Sequence, residues 1–186
     1  MKLLSMNEID GGHYLHRYEL VYENRAGKEK HYEIVSRRAI TSAEELGRVS
    51  SGISMIVTQN DRMLLLKEFR MAINRSVYNL CAGMLNGNET IEDCVRRELF
   101  EETGLRVKEI KKILPASYSA VAISDIMTNI VYVEAEGEIS SEYASANEEI
   151  SAAFYRADEI AAMLETEAFS SRSQLAAYQF CMTHFI

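Results

Sequence analysis

Three glutamates within five residues are the strongest candidates for chemistry in this sequence. Glu98, Glu101 and Glu102 lie in the stretch at residues 83–105, which reads GMLNGNETIEDCVRRELFEETGL. At the i, i+3 and i+4 spacing of a helix, their carboxylates would lie close enough to repel one another. Hard carboxylate oxygens are the ligands that Mg²⁺ and Mn²⁺ prefer. The pattern therefore favours a divalent metal site, with Mg²⁺ expected and Mn²⁺ as the alternative.

The segment that carries these glutamates is predicted to be a helix over residues 91–103. Thr90 with Asp93 three residues later provides a capping-box start. Gly104 can adopt the left-handed conformation that ends a helix. Both ends of the helix are therefore defined by the sequence.

The glutamates point towards the apolar face of this helix. At about 100° per residue, Glu98 and Glu102 fall at the centre of that face and Glu101 falls at its edge. The apolar face is formed by Ile91, Cys94, Val95 and Leu99. Carboxylates aimed at a core are costly unless another charge compensates them, so a bound cation explains the pattern better than an exposed charge run. Arg97 precedes Glu101 by four residues and can orient its carboxylate.

Residues 83–105 resemble the Nudix box. Every fixed position of that signature is filled, by Gly83, Glu89, Arg97, Glu98, Glu101, Glu102 and Gly104. Seven such matches arise by chance at any one start with a probability below roughly 10⁻⁸. The resemblance implies a Nudix hydrolase, which cleaves a nucleoside diphosphate linked to another moiety by means of metal-bound water. The implied fold is an α/β/α sandwich with a mixed sheet.

The resemblance also implies which residues hold the metal. Glu98 and Glu102 would bind it together with the backbone carbonyl of Ala82, the residue before the box, and Glu101 would complete the cluster. Glu101, Glu102 and Arg97 would form the catalytic part of the box.

The general base of the reaction has several candidates. In the family, a loop Glu just before a strand often takes the proton of the attacking water. Glu148 and Glu149 precede the predicted strand at residues 152–155, and the spacing cannot choose between them. Glu101 is a third candidate, and an acidic solvated loop is the alternative interpretation of this segment.

A second segment resembles the strand and loop that lead into the box of ADP-ribose pyrophosphatases. Residues 69–70 and 82–83 match the family pattern of Gln-Phe/Tyr-Arg followed by Glu-any-Pro-Ala-Gly. Asn79 stands where Glu is usual, and Cys81 stands where Pro is usual. The matching Arg in the family contacts substrate phosphates, which makes Arg70 the candidate here, with an ordinary surface Arg as the alternative.

This branch of the family implies hydrolysis of ADP-ribose to AMP and ribose 5-phosphate. Hydrolysis of another nucleotide sugar, or of a dinucleotide such as NADH, would use the same residues. A non-catalytic nucleotide sensor is the alternative from a different class. A sensor predicts decayed box glutamates and an added basic segment, whereas here the box is intact and no basic helix is predicted.

Hydrophobic patterning predicts an α/β domain with an N-terminal addition. The predicted strands cover residues 12–24, 30–36, 53–58, 62–69, 107–114, 126–134 and 152–155. Two more helices are predicted at residues 158–168 and from residue 171, the last with Leu175, Tyr178 and Met182 on one face. Residues 1–45 are predicted to form an N-terminal antiparallel hairpin region that dimerises, and residues 46–186 the Nudix domain. The homodimer is implied by the resemblance, because such N-terminal sheets form the dimer interface in the ADP-ribose branch.

Charge and composition narrow the classes of partner. The chain has 186 residues, 47% apolar content and a net charge of −8. Residues 134–167 contain ten acidic residues and a single basic one, and such a surface disfavours nucleic-acid backbones and anionic membranes. The expected partner is therefore a small phosphorylated substrate carried with its metal.

Cysteine usage and the N-terminus favour a cytoplasmic protein. No apolar run reaches the length of a membrane span, and the first ten residues become acidic too early for a signal peptide. Cys81, Cys94 and Cys181 are odd in number and lack paired spacing, so reduced core thiols are expected. Cys81 could also be a reactive thiol beside the site.

Overall fold

A computed structural model describes residues 1–143 and 149–184 of the chain. The strands of this part are β1 Lys2–Gly11, β2 His16–Glu23, β3 Glu29–Ser36, β4 Ser50–Gln59, β5 Arg62–Arg70, β6 Arg75–Asn79, β7 Cys81–Met84, β8 Arg106–Ile113, β9 Ser117–Tyr118, β10 Met127–Glu136 and β11 Ile150–Tyr155. The helices are α1 Ile91–Thr103, α2 Ala157–Thr166 and α3 Ser171–His184. Within the described residues, no helix is long and apolar enough to cross a membrane.

Residue contacts divide the chain into two compact units, of which the first comprises Met1–Ser51 and Ala116–Thr128. Its main element is an antiparallel sheet with the order β1-β2-β3. The predicted hairpin of β2 and β3 is confirmed, and it packs over a small core in which the Tyr18 hydroxyl accepts a hydrogen bond from the Ile40 amide at 2.6 Å. Strand β1 was not predicted from the sequence, because most of its side chains are exposed and no clear alternation marks it.

The second unit comprises Gly52–Pro115 and Asn129–Ile186 and is built on a large mixed sheet. Its central order is β11-β5-β4-β10-β8, with β6 added to β5 and β7 to β4. One core cluster contains side chains of α1, and another contains side chains of α2 and α3. The predicted α/β/α sandwich is thereby confirmed. Leu64, Leu65 and Leu66 of β5 are all buried, as the continuous apolar run predicted.

Helix α1 begins and ends where the sequence predicted. Thr90 adopts an extended conformation and its Oγ1 accepts a hydrogen bond from the Asp93 amide at 3.1 Å. Gly104 has φ 73° and ends the helix in the left-handed conformation. The first turn also contains two acids, which the positive end of the helix dipole favours.

The face of α3 singled out by the sequence pattern is exposed. Leu175, Tyr178 and Met182 are 72%, 58% and 47% accessible, respectively. The packed face instead consists of Ser173, Ala176, Ala177, Phe180 and Cys181. Small side chains allow this helix to approach the sheet closely, a property that the pattern of large apolar residues does not indicate.

Candidate active site

Strand β7 and helix α1 bring two glutamates against one short piece of backbone. β7 pairs with β4 in antiparallel register, with Ala82 opposite Ser54. The Ala82 amide donates a hydrogen bond to Glu102 Oε2 at 3.3 Å. A Cβ atom at Gly83 would lie only 1.8 Å from Cδ of Glu98, so any larger residue here would force the Glu98 side chain to move away. Gly83 is therefore required for Glu98 to reach the strand.

Among the carboxylates of this site, Glu102 has a pKa that is shifted strongly from its usual value. Burial raises its pKa to about 8, and the charges of Glu98 and Glu68 add to the rise. Hydrogen bonds from the Cys81 thiol and the Ala82 amide act in the opposite direction. A half-buried carboxylate with a second one beside it favours either a bound proton or a bound cation.

Arg97 on helix α1 donates hydrogen bonds to three of the box glutamates. Its Nε and Nη2 donate to the two oxygens of Glu89 at 2.8 Å, and its Nη1 donates to Glu98 at 2.7 Å and to Glu101 at 3.1 Å. Nη2 also donates to the Met84 carbonyl at 2.9 Å. The hydrogen bonds from Arg97 lower the pKa of Glu89 to about 2. Arg97 thus joins the loop before the helix to two of the box glutamates.

Arg70 and Glu149 lie at the same end of neighbouring strands. Arg70 is the last residue of β5, and its side chain is 51% exposed and donates from Nη1 to Glu68 Oε1. The Phe69 amide donates to the Glu149 carbonyl at 3.0 Å, just before β11 begins. Glu148, the other loop candidate for the general base, lies outside the described residues.

Cys81 is not suited to act as a nucleophile. Its thiol is fully buried, and burial together with the nearby charges of Glu102 and Glu98 raises its pKa well above the usual value. The suggestion of a reactive thiol is therefore wrong. The protonated thiol instead donates a hydrogen bond to Glu102.

A family model described as the NUDIX domain matches residues 48–178. The chain belongs to the Nudix family. The matched region contains α1 and the strands that surround the glutamates, and the sequence resemblance to the Nudix box is confirmed.

Curated Nudix relatives of this chain carry several different names. An "ADP-ribose pyrophosphatase" of Bacillus subtilis is 26% identical over 133 residues, which is 72% of this chain and 65% of the relative. A "NAD-capped RNA hydrolase NudC" of Photobacterium profundum is 35% identical over 52% of this chain and 35% of the relative. A "GDP-mannose pyrophosphatase" of Yersinia enterocolitica is 35% identical over 37% of this chain and 38% of the relative. Each match spans less than two thirds of the relative's own length.

A solved structure described as an ADP compounds hydrolase has the same fold. It superposes with a TM-score of 0.73 at 15% sequence identity, over 99% of this chain and 93% of the other. At this low identity the likeness supports the Nudix fold alone.

Nudix enzymes generally use divalent metal ions, and the donor atoms of this site fit such a group only in part. Glu98 and Glu102 supply hard oxygens beside the backbone of residue 82, and the Glu98 side chain is 14% exposed. Glu101 is 53% exposed and paired with Arg97. In residues 1–143 and 149–184, no three His, Cys, Asp or Glu side chains are grouped so as to hold a metal ion. The predicted cluster of three glutamates stays a prediction: Glu98 and Glu102 lie where a cation would offset their charge, whereas the exposed Glu101 is paired with Arg97.

Two further residues of this Nudix site could not be recognised as site residues from the sequence pattern alone. Glu89 was noted only as a fixed position of the box, although it makes the firmest contacts with Arg97. Glu68 accepts hydrogen bonds from both Arg70 and Asn79, and its negative charge contributes to the raised pKa of Glu102. The unusual Asn at position 79 was the only signal in the sequence that could have pointed to Glu68.

Proposed function

We propose that this chain is a metal-dependent pyrophosphohydrolase that cleaves a nucleoside diphosphate linked to another moiety. The observation that carries the proposal is the half-buried carboxylate of Glu102 beside Glu98, held against the backbone at residues 82–83. Such a pair favours a cation, and the chain belongs to a family whose members generally use one.

In the proposed reaction, water attacks one phosphorus of the diphosphate. A new P–O bond forms, the bridging P–O bond breaks, and the other phosphate leaves with the bonding electron pair. Glu98, Glu102 and the Ala82 carbonyl would hold Mg²⁺ or Mn²⁺, and Glu101 would join them. When bound, the ion would offset charge on the phosphoryl oxygens and make water more nucleophilic.

The remaining roles fall to side chains of strand β5, of helix α1 and of the segment before β11. Arg70 would bind a phosphate through its half-exposed guanidinium. A carboxylate would accept the water's proton, and Glu149, Glu148 and Glu101 remain the candidates. Arg97 contacts Glu98 and Glu101 directly, so we assign it the role of positioning these two carboxylates.

ADP-ribose is the substrate we favour, with AMP and ribose 5-phosphate as products. The support is the "ADP-ribose pyrophosphatase" relative, whose match covers more of this chain than the other two described above, together with the family pattern at residues 69–70 and 82–83. The second candidates are a dinucleotide such as NADH and a nucleotide sugar such as GDP-mannose. The names of the other two relatives favour these substrates.

A substrate panel tests this proposal. ADP-ribose, GDP-mannose, UDP-glucose, NADH, diadenosine polyphosphates and nucleoside triphosphates are each incubated with Mg²⁺ and with EDTA, and phosphatase-sensitive products are measured. We expect Mg²⁺-dependent release of AMP from ADP-ribose at a higher kcat/KM than from any other member. A higher kcat/KM for another member of the panel would change the assigned substrate. Absence of product from every member would favour the nucleotide-sensor alternative.

We also propose that the chain is a homodimer joined through its N-terminal sheet. The support is the three-stranded sheet β1-β2-β3, whose outer strand β1 has mostly exposed residues and an unpaired edge within the described part of the chain. Light scattering in solution is expected to give about twice the 21.1 kDa mass of one chain. A monomer mass at micromolar concentration would contradict the proposal.

A further inference from the structure

A line of hydrogen bonds connects strand β6 to the end of strand β5. The Asn79 Nδ2 donates to Glu68 Oε2 at 2.7 Å, and Glu68 Oε1 accepts from Arg70 Nη1. Both oxygens of Glu68 are therefore engaged, one by an amide and one by a guanidinium. The Glu68 side chain is 18% exposed, whereas that of Arg70 is 51% exposed.

The strand register explains why these three side chains meet. β5 pairs antiparallel with β6, with Leu66 opposite Asn79 and Glu68 opposite Val77. Asn79 and Glu68 are thus diagonal neighbours across the two strands, which is within reach of long side chains. Glu68 and Arg70 are two residues apart on one strand and therefore point to the same face. The fold places all three side chains in a row that ends at the solvent.

We propose that Asn79 and Glu68 are positioning residues that hold the Arg70 guanidinium ready to bind a phosphate of the nucleoside diphosphate. This inference rests on the proposed function, because Arg70 is the phosphate-binding residue there. A free arginine side chain samples many rotamers, and ordering it opposes binding. A carboxylate that holds one nitrogen of the guanidinium reduces this loss of freedom and leaves other N–H groups to face a phosphate.

The negative charge of Glu68 requires a hydrogen-bond donor at position 79, and the Asn79 amide provides one. Glu68 has only acceptor oxygens when ionised, so its second oxygen needs a donor, and Asn79 supplies it. A carboxylate at position 79 would face Glu68 without a hydrogen between them and would repel it. Glu68 would then move or take up a proton, and Arg70 would lose its fixed partner.

Exchange of donor and acceptor between positions 68 and 79 tests this inference. Asn79→Asp removes the donor, whereas the double variant Glu68→Gln with Asn79→Asp restores it with reversed direction. In the double variant, the amide at position 68 can donate to the carboxylate at position 79 while its oxygen still accepts from Arg70. Binding of the non-hydrolysable probe α,β-methylene-ADP is measured by calorimetry with Mg²⁺ present, and KM and kcat are measured for ADP-ribose.

We expect Asn79→Asp to raise the Kd of the probe and the KM by about tenfold, with kcat changed less than about threefold. The double variant is expected to return both values to within about threefold of the wild type. Asn60→Asp adds the same charge at an exposed turn at the other end of β5 and should leave both values unchanged.

Three outcomes would overturn the inference. These are an unchanged Kd in Asn79→Asp, a double variant that binds no better than the single one, and a rise in Kd matched by an equal loss of Mn²⁺ binding. The last would mean that the box itself had been disturbed. If Asn79→Asp does not fold, Asn79→Ala removes the donor without adding charge and is expected to raise the Kd about threefold.

Failure of the inference and failure of the proposed function are distinguishable. Arg70→Ala should weaken probe binding at least as much as Asn79→Asp does, and an unchanged Kd there would remove the phosphate role of Arg70. If the wild type and the variants show the expected differences in probe Kd but hydrolyse no member of the substrate panel, the inference stands and the proposed enzymatic activity is refuted.

Discussion

Replacement of Glu102 by Gln is expected to lower kcat for the proposed hydrolysis by about 10³-fold, while the protein stays folded. Gln has nearly the same shape, so the packing against Ala82 is retained. The lost feature is the negative charge that would bind the cation. Initial rates of AMP release from ADP-ribose check this, with Glu92→Gln on the exposed side of the same helix as the matched control. An active Glu102→Gln protein would contradict the metal assignment.

The same substitution is expected to stabilise the metal-free protein at alkaline pH. Burial raises the pKa of Glu102 to about 8 from the usual 4.5, so the folded state binds this proton more tightly than the unfolded state does. This contribution is complete below pH 4.5 and is lost as the pH rises through about 8. The introduced glutamine does not titrate, and the Tm of the variant should exceed that of the wild type at pH 9 by more than it does at pH 5. Thermal unfolding in EDTA measures the difference.

Replacement of Arg97 by Met is expected to reduce both stability and activity. The substitution leaves Glu89 and Glu98, whose side chains are 13% and 14% exposed, without their cationic partner. Carboxylates in such places lose both hydrogen bonds and charge compensation when this guanidinium is removed. We expect the Tm to fall by roughly 5–10 °C and kcat to fall by about 10–100-fold, because residues that orient metal ligands have effects of this size.

Arg96→Met is the matched control for this prediction. Arg96 is the preceding residue of α1 and is exposed, and its guanidinium donates a long hydrogen bond of 3.5 Å to the Val107 carbonyl. Its replacement should change the Tm by less than about 2 °C. Equal effects of the two substitutions would show that helix propensity, and not the network around Arg97, explains the loss.

The helix that carries the box could be predicted to the residue because its signals are local. Thr90, Asp93 and Gly104 define its ends through contacts with near neighbours in sequence. The inward direction of Glu98 and Glu102 followed from the periodicity of the same helix. The role of Gly83 did not follow, because it depends on how closely Glu98 approaches the strand.

Contacts between distant parts of the chain could not be predicted from spacing. Helical spacing identified the contact of Arg97 with Glu101, but Glu89 lies in the loop before the helix and was not recognised as its main partner. Glu68 meets Asn79 only because β5 and β6 pair in one particular register. A shift of that register by one residue would point these side chains to opposite faces.

In the proposed enzyme, Glu98 and Glu102 bind a divalent cation on which hydrolysis depends. The most direct test is a titration of the metal-stripped protein with Mg²⁺, followed through AMP release from ADP-ribose or through the product of whichever panel member is preferred. We predict no rate above background in EDTA, a saturable recovery with Mg²⁺, and no recovery in the Glu98→Gln, Glu102→Gln double variant. A full rate in EDTA, or in the double variant, would contradict the account.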